Sequence, residues 1–300
     1  MKTNLKSKAL FTNILQWFGI VLSYLFSMIL FSVLIPFPEN LMKLMPPSGI
    51  VPPPFDLLIN AIVNGTLIFW VAKRSNYRSF QLIIQLALCL FGVQTFQTQI
   101  ETGYFISAFP LLKGTFEVYK IILRGLLGFI LFATLVTLIS GGFKKREKAL
   151  HNFSFPAERC IKIAAWLGVV YLVLYFVFGY YIAFQSQTLR SFYGVTGQLS
   201  SFFETMKNSL LEKPEIPFFQ YCRGVLWIIC LYPIMKGFTG KKTELIILSG
   251  LFFALIPTVQ LLFPNPLMPA SVAVYHFFEV AISTGIFGAA TAWLIPVKIK

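Results

Sequence analysis

Charge is what this chain has least of. Only 12% of its 300 residues are Asp, Glu, Lys or Arg, where soluble domains carry about 25%. Acidic groups are scarcest, 11 against 25 Lys and Arg. Histidine occurs twice, at His151 and His276, and cysteine four times, at Cys89, Cys160, Cys222 and Cys230. The histidines fall in different segments and no cysteines form a CxxC pair, so neither a metal spacing nor a disulfide framework follows. Cys89 and Cys230 lie inside apolar blocks and read as small buried hydrophobes. No Walker-type glycine loop, HExxH, GxSxG or paired-histidine haem site is present. No catalytic residue, metal or cofactor is therefore assigned.

What the chain does have is apolar length. It is 57% hydrophobic and 17% aromatic, with a mean hydropathy of +0.75, and the apolar residues come in blocks long enough to cross a bilayer. The fold class is an all-α polytopic membrane protein. Eight segments reach spanning length: 11–35, 55–72, 79–100, 118–140, 161–185, 218–237, 244–263 and 270–295. The basic start Met1–Lys8 precedes an apolar run too long for a signal-peptide core, so the first span reads as a retained signal anchor.

Charge then orients the spans. Seventeen Lys and Arg fall on the side of the amino terminus and six in the opposite loops, with Arg124 and Arg223 inside predicted helices. This bias places both termini in the cytoplasm of a plasma or inner membrane. The net charge of +14 is spent in those loops. No basic patch interleaves with stacking aromatics in a soluble segment, which argues against nucleic acid as a partner. The partners expected are the lipid bilayer and a small molecule or ion of unknown identity. Protein partners are left unknown.

The chain also looks like a tandem duplication. Trp17-Phe-Gly-Ile-Val matches Trp166-Leu-Gly-Val-Val, Gln81-Leu-Ile-Ile matches Glu244-Leu-Ile-Ile, and Val118-Tyr119 matches Val274-Tyr275. At the offset of the second match Thr95 faces Thr258 and Gln97 faces Gln260. Between the second and sixth spans Asn64-Gly65 lies opposite Arg223-Gly224. The division is a four-span half over 1–142, a cytoplasmic connector over 143–160 and a second four-span half over 161–300. Four spans return the chain to its starting side, so the halves share an orientation and are related by an axis along the membrane normal.

Polar residues inside spans mark the candidate site, because an ionisable group in the bilayer is costly and demands a partner. At about 1.5 Å per residue, Arg124 and Glu279 lie some 10–12 Å from the outer face, with His276 and Arg223 somewhat shallower. Gln94, Gln97, Thr98 and Glu101 keep helical spacing on one face at the same level. The site residues are Glu279, Arg124, His276, Gln94, Gln97, Glu101 and Arg223. Arg124 aligns with Val280, the neighbour of Glu279, so an Arg124–Glu279 pair across the axis is the expected partnership. Arg223 is expected to snorkel towards its helix end. The outer loop 186–217 contains LSSFFETMKNSLLEK, an amphipathic helix for the membrane surface or a lid.

These residues favour a transporter, or a related small-molecule-binding membrane protein, with its site between the halves. Glu279 would take a proton or cation, Arg124 would serve as its counter-ion or as an anion clamp, and His276 would relay protons. An intramembrane enzyme on a lipid-linked substrate, with Glu279 or Glu101 as base beside His276, is the first alternative. A non-catalytic subunit or sensor is the second.

Overall fold

A computed structural model describes residues 2–143, 157–195 and 197–295. Most of the expected connector, with its basic run 144–148, lies outside these residues. Among the described residues every regular element is helical, and eight helices are long and apolar enough to cross a membrane. These are α1 (Lys2–Leu34), α2 (Phe55–Arg74), α3 (Ser79–Tyr104) and α4 (Glu117–Ile139). After the connector come α5 (Ala157–Tyr181), α6 (Glu215–Gly237), α7 (Lys242–Leu262) and α8 (Ala270–Leu294). Helix is the form that satisfies each backbone N–H and C=O within its own segment, which a lipid surrounding requires. The observed α1 begins nine residues before the expected span, and α3 runs four residues beyond it.

Two helices depart from regular geometry, for identifiable reasons. Pro257 lacks an N–H and stops the α-helical part of α7 at Leu255, after which Val259–Leu262 forms a tighter 3-10 turn. In α3 the residues Phe91–Phe96 form a π turn between two α-helical pieces. A wider turn rotates everything beyond it about the helix axis, and such insertions are frequent at functional sites.

Packing between helices follows one scheme twice. Helix α1 lies against α2 and α4, and α4 against α3; α5 lies against α6 and α8, and α8 against α7. Between the two sets α2 meets α7 and α3 meets α6. Close crossings use glycine in corresponding places. A Cβ on Gly65 would stand 2.8 Å from Val21 of α1, and one on Gly224 2.7 Å from Tyr171 of α5. At the end of the bundle where α2, α4, α6 and α8 finish, the α2–α3 and α6–α7 turns form an antiparallel bridge, Ser75 to Phe238. Asn76 N donates to Gly237 O and Thr239 N to Arg74 O, both at 2.8 Å. These two bonds exchange places when 163 is added to the first-half residue numbers, the same offset that relates Gln81 to Glu244.

The opposite, loop-rich end holds the expected amphipathic helix, Phe202–Glu212. It starts at Ser201, whose hydroxyl accepts from Glu204 N at 3.4 Å, as a Ser-x-x-Glu start leads one to expect. None of its residues is buried, and Phe203 and Leu211 are both more than two-thirds exposed. Phe202 stacks on Tyr181 at 5.5 Å, where α5 ends. A helix left open and tethered to aromatic residues at a span's end has the character of a membrane-interface helix, and this gives an expectation to test. Phe203→Trp in lipid vesicles is expected to give blue-shifted emission quenched by brominated acyl chains; unquenched, water-like emission would contradict that placement.

Candidate functional site

The buried charge sits where α3 meets α6. Arg223 is 4% exposed, one residue before the Gly224 crossing. Its guanidinium Nη1 lies 2.6 Å from Glu101 Oε1 and 2.8 Å from Gln220 Oε1, and Nη2 donates to Gln97 O at 3.2 Å. Arg223 does not snorkel: Glu101, one turn beyond Gln97, brings it a carboxylate within the bundle, which lowers the cost of keeping the charge there. Glu101 itself is about one-third exposed at the side chain, so the pair touches the loop-rich end. Gln97 Nε2 reaches Arg223 O at a long 3.4 Å. Gln97 Oε1 and Arg223 Nε are buried without a hydrogen-bond partner among the described residues.

Beside this pair is a chain of three groups from two elements. Glu279 is 7% exposed on α8, and its Oε2 stands 3.4 Å from Nδ1 of His276, one turn earlier. Nε2 of His276 is 2.9 Å from the Tyr193 hydroxyl. Tyr193 is carried by the segment after α5. There Ser186 Oγ caps the short helix Gln187–Phe192 by accepting from Leu189 N, and Leu189 buries against Ala183 and Val272. Burial, and next the Glu101 charge, push the Tyr193 phenol well above its usual range, so the phenol keeps a proton that it can offer to His276 Nε2. In a neutral imidazole that leaves the remaining proton on Nδ1, facing the Glu279 carboxylate.

Tyr171 and Tyr175, one turn apart on α5, join the two groups. Both lie within electrostatic range of Glu101, Arg223 and Glu279. Tyr104 and Phe219 stack at 4.1 Å on the loop side of Arg223. The cluster thus holds two carboxylates, one guanidinium and one imidazole. With Arg223 matched by Glu101, Glu279 is left with the His276 imidazole as its nearest ionisable neighbour.

Two expectations are corrected here. Arg124 does not meet Glu279. Its Nε and Nη2 donate to Ile35 O at 3.0 and 2.5 Å, just past the end of α1, and its guanidinium covers the Phe37 ring at 4.1 Å. Equal depth did not bring them together because the two sets of helices meet through α2–α7 and α3–α6, leaving α4 against α1 and α3. Arg124→Gln is accordingly expected to cost about 1.5–3 kcal/mol, the usual worth of hydrogen bonds to a charged group, and to leave every property of Glu279 intact; thermal unfolding and ligand binding measure the two separately.

The glutamine face is also split. Gln97 and Glu101 point to Arg223, whereas the π turn sends Gln94 towards the first half, where its Nε2 donates to Tyr24 Oη at 3.3 Å. Tyr24 in turn donates to Asn60 Oδ1 at 2.6 Å. Gln260 of α7 donates to Gln94 O at 3.1 Å, a further tie between the sets. Sequence reasoning missed Gln220, Tyr171, Tyr175 and Tyr193. Gln220 had a legible signal, lying three residues before Arg223 on one helical face; Tyr193 had none, being placed by a loop.

Among the described residues no group of three or more His, Cys, Asp or Glu could hold a metal ion. The helices, eight of them long and apolar enough to span, are compatible with an integral membrane protein. Compared with known proteins, the chain matches no family model, no curated protein and no solved structure, so any functional reading rests on these residues alone.

Proposed function

We propose that the chain is a transporter, or a small-molecule-binding membrane protein, of the plasma or inner membrane, with its site in the layer defined by Glu101, Arg223, His276 and Glu279. The observation that carries this reading is the buried Glu279 carboxylate, well inside its span by sequence depth, whose contact among the described residues is a long one to the His276 imidazole. A carboxylate so placed is a default candidate for proton or cation handling. Arg223, matched by Glu101, cannot also neutralise it. The ligand class that suits the excess negative charge is a proton or a small organic cation, with Gln97 Oε1 as a neutral acceptor.

A four-plus-four duplication with both termini in the cytoplasm frames this site. Its supports are the repeated helix contacts, the paired Gly65 and Gly224 crossings, and the exchangeable Arg74–Thr239 and Asn76–Gly237 bonds. In such an arrangement the Glu101–Arg223 pair joins one half to the other, and a ligand that competes for either partner would loosen that joint.

The test uses purified protein in liposomes on a solid-supported membrane, challenged with a panel of amines and other small organic cations. Charge displacement is expected with wild-type protein and not with Glu279→Gln, while Arg124→Gln behaves as wild type. Full displacement in Glu279→Gln would refute the assignment. The enzyme alternative uses the same His276–Glu279 contact. It would instead be favoured by product formation from a lipid-linked substrate in detergent, with no membrane gradient.

A further inference from the structure

On the flank of the bundle, α5 and α6 border an apolar groove of about 460 Å³. Its floor is cut by the small residues Ala164 and Ala165, and its walls carry Tyr221, Ile229 and Tyr232, with Ile295 closing one end. Tyr221 and Tyr232 are eleven residues apart on one helix, so the groove runs about 16 Å along the membrane normal. That is half of a hydrocarbon core of about 30 Å, the depth of one leaflet. Ile229 is 60% exposed and Ile161 69%, so the groove faces sideways, where lipid lies.

At the end of the groove near Cys160 and Ile295, two cations touch lining residues and two more are their sequence neighbours. Lys236 Nζ sits 5.8 Å over the Tyr232 ring. Lys242 Nζ donates to Ile295 O at 2.6 Å. Arg159 precedes Cys160, and Lys162 follows Ile161. The carboxylate found there is Glu158, which is exposed and bonded to Lys162 at 2.7 Å. Among the described residues, these four cations against one carboxylate leave a positive rim over an apolar slot. Basic clusters at a span's end attract anionic headgroups, at about 1 kcal/mol for each Lys or Arg.

We propose that this groove is a binding site for one anionic phospholipid, its acyl chain between α5 and α6 and its phosphate held by Lys236, Lys242 and Arg159. The site lies on the membrane flank, away from Glu279 and the α3–α6 contact, and stands whether or not the chain transports anything.

The test is retention of added lipid by the full-length protein in mild detergent, read by native mass spectrometry. The probes are phosphatidylglycerol and phosphatidylcholine with identical acyl chains. One phosphatidylglycerol should be retained per chain in clear preference to phosphatidylcholine. Lys236→Gln with Lys242→Gln should weaken the anionic lipid by about 30-fold, two cations' worth. Ala165→Phe, a lipid-facing change that does not disturb the core, should displace both lipids alike. Equal retention of the two lipids, or phosphatidylglycerol retention unchanged in both variants, would overturn the proposal. So would disulfide-linked dimers of Ile229→Cys formed in phosphatidylglycerol bilayers, which would make the occupant a second copy of this chain.

Discussion

Glu101→Ala is expected to destabilise the bundle by about 3 kcal/mol, the lower end for stripping a buried charge of its partner. The magnitude follows from what is left behind. Arg223 is 4% exposed and would keep only Gln220 Oε1 at 2.8 Å and Gln97 O at 3.2 Å, both neutral. Removing the other partner should cost less. In Arg223→Met the stranded group is Glu101, whose side chain is about one-third exposed and can turn to water or take a proton. Glu101→Leu combined with Arg223→Met should recover most of the loss, because a buried ion pair is often no better than apolar groups of similar size. Thermal unfolding of wild type and these variants in one detergent, with Glu101→Leu alone added so that the cycle closes, measures the coupling. A Glu101→Ala cost below that of Arg223→Met would mean the arginine escapes to solvent, as sequence alone had suggested.

The second large effect lies in the contact of α7 with α8. Gly288 is packed so closely that an added Cβ would stand 2.4 Å from Ser249 O and 3.0 Å from Phe253 Cβ. Neighbouring Gly250 and Gly285 bring the same two backbones together, with Ala289 and Ala254 opposite them. Small residues at such a crossing let helices in lipid gain dispersion contacts where no hydrophobic drive exists between them. The obstacle at Gly288 is a backbone carbonyl, which cannot rotate aside as a side-chain tip can. Gly288→Ala should therefore force the helices apart, at a cost of about 2 kcal/mol. Gly103 is the control, because a Cβ added there would meet nothing within 4 Å. Gly103→Ala should be neutral or stabilising by up to about 1 kcal/mol. Equal effects at both glycines would show that helix propensity, not close contact, dominates.

What was legible beforehand follows from which physics acts along the chain and which acts across it. Span number, approximate bounds and the level of the polar residues depend on hydropathy and on rise per residue, both properties of a segment by itself. The amphipathic helix Phe202–Glu212 was legible for the same reason, since the spacing of its apolar residues is a property of the segment itself. Azimuth was not. Whether Arg124 turns towards α8 or towards the end of α1 depends on which helices touch, and that is decided by glycine crossings and by the α2–α7 and α3–α6 contacts. The π turn at Phe91–Phe96 carries no periodic signature, yet it separates Gln94 from Gln97 and Glu101. Tyr193 reaches His276 only because the segment after α5 folds back across α8.

The central claim we propose is that Glu279 is the carboxyl at which a cationic ligand acts. Infrared difference spectroscopy of the protein in lipid, with and without a cation selected from the panel, tests it most directly. A carboxyl C=O band that changes on cation addition in wild type and is missing from Glu279→Gln is the predicted result. An identical difference spectrum from Glu279→Gln would contradict it.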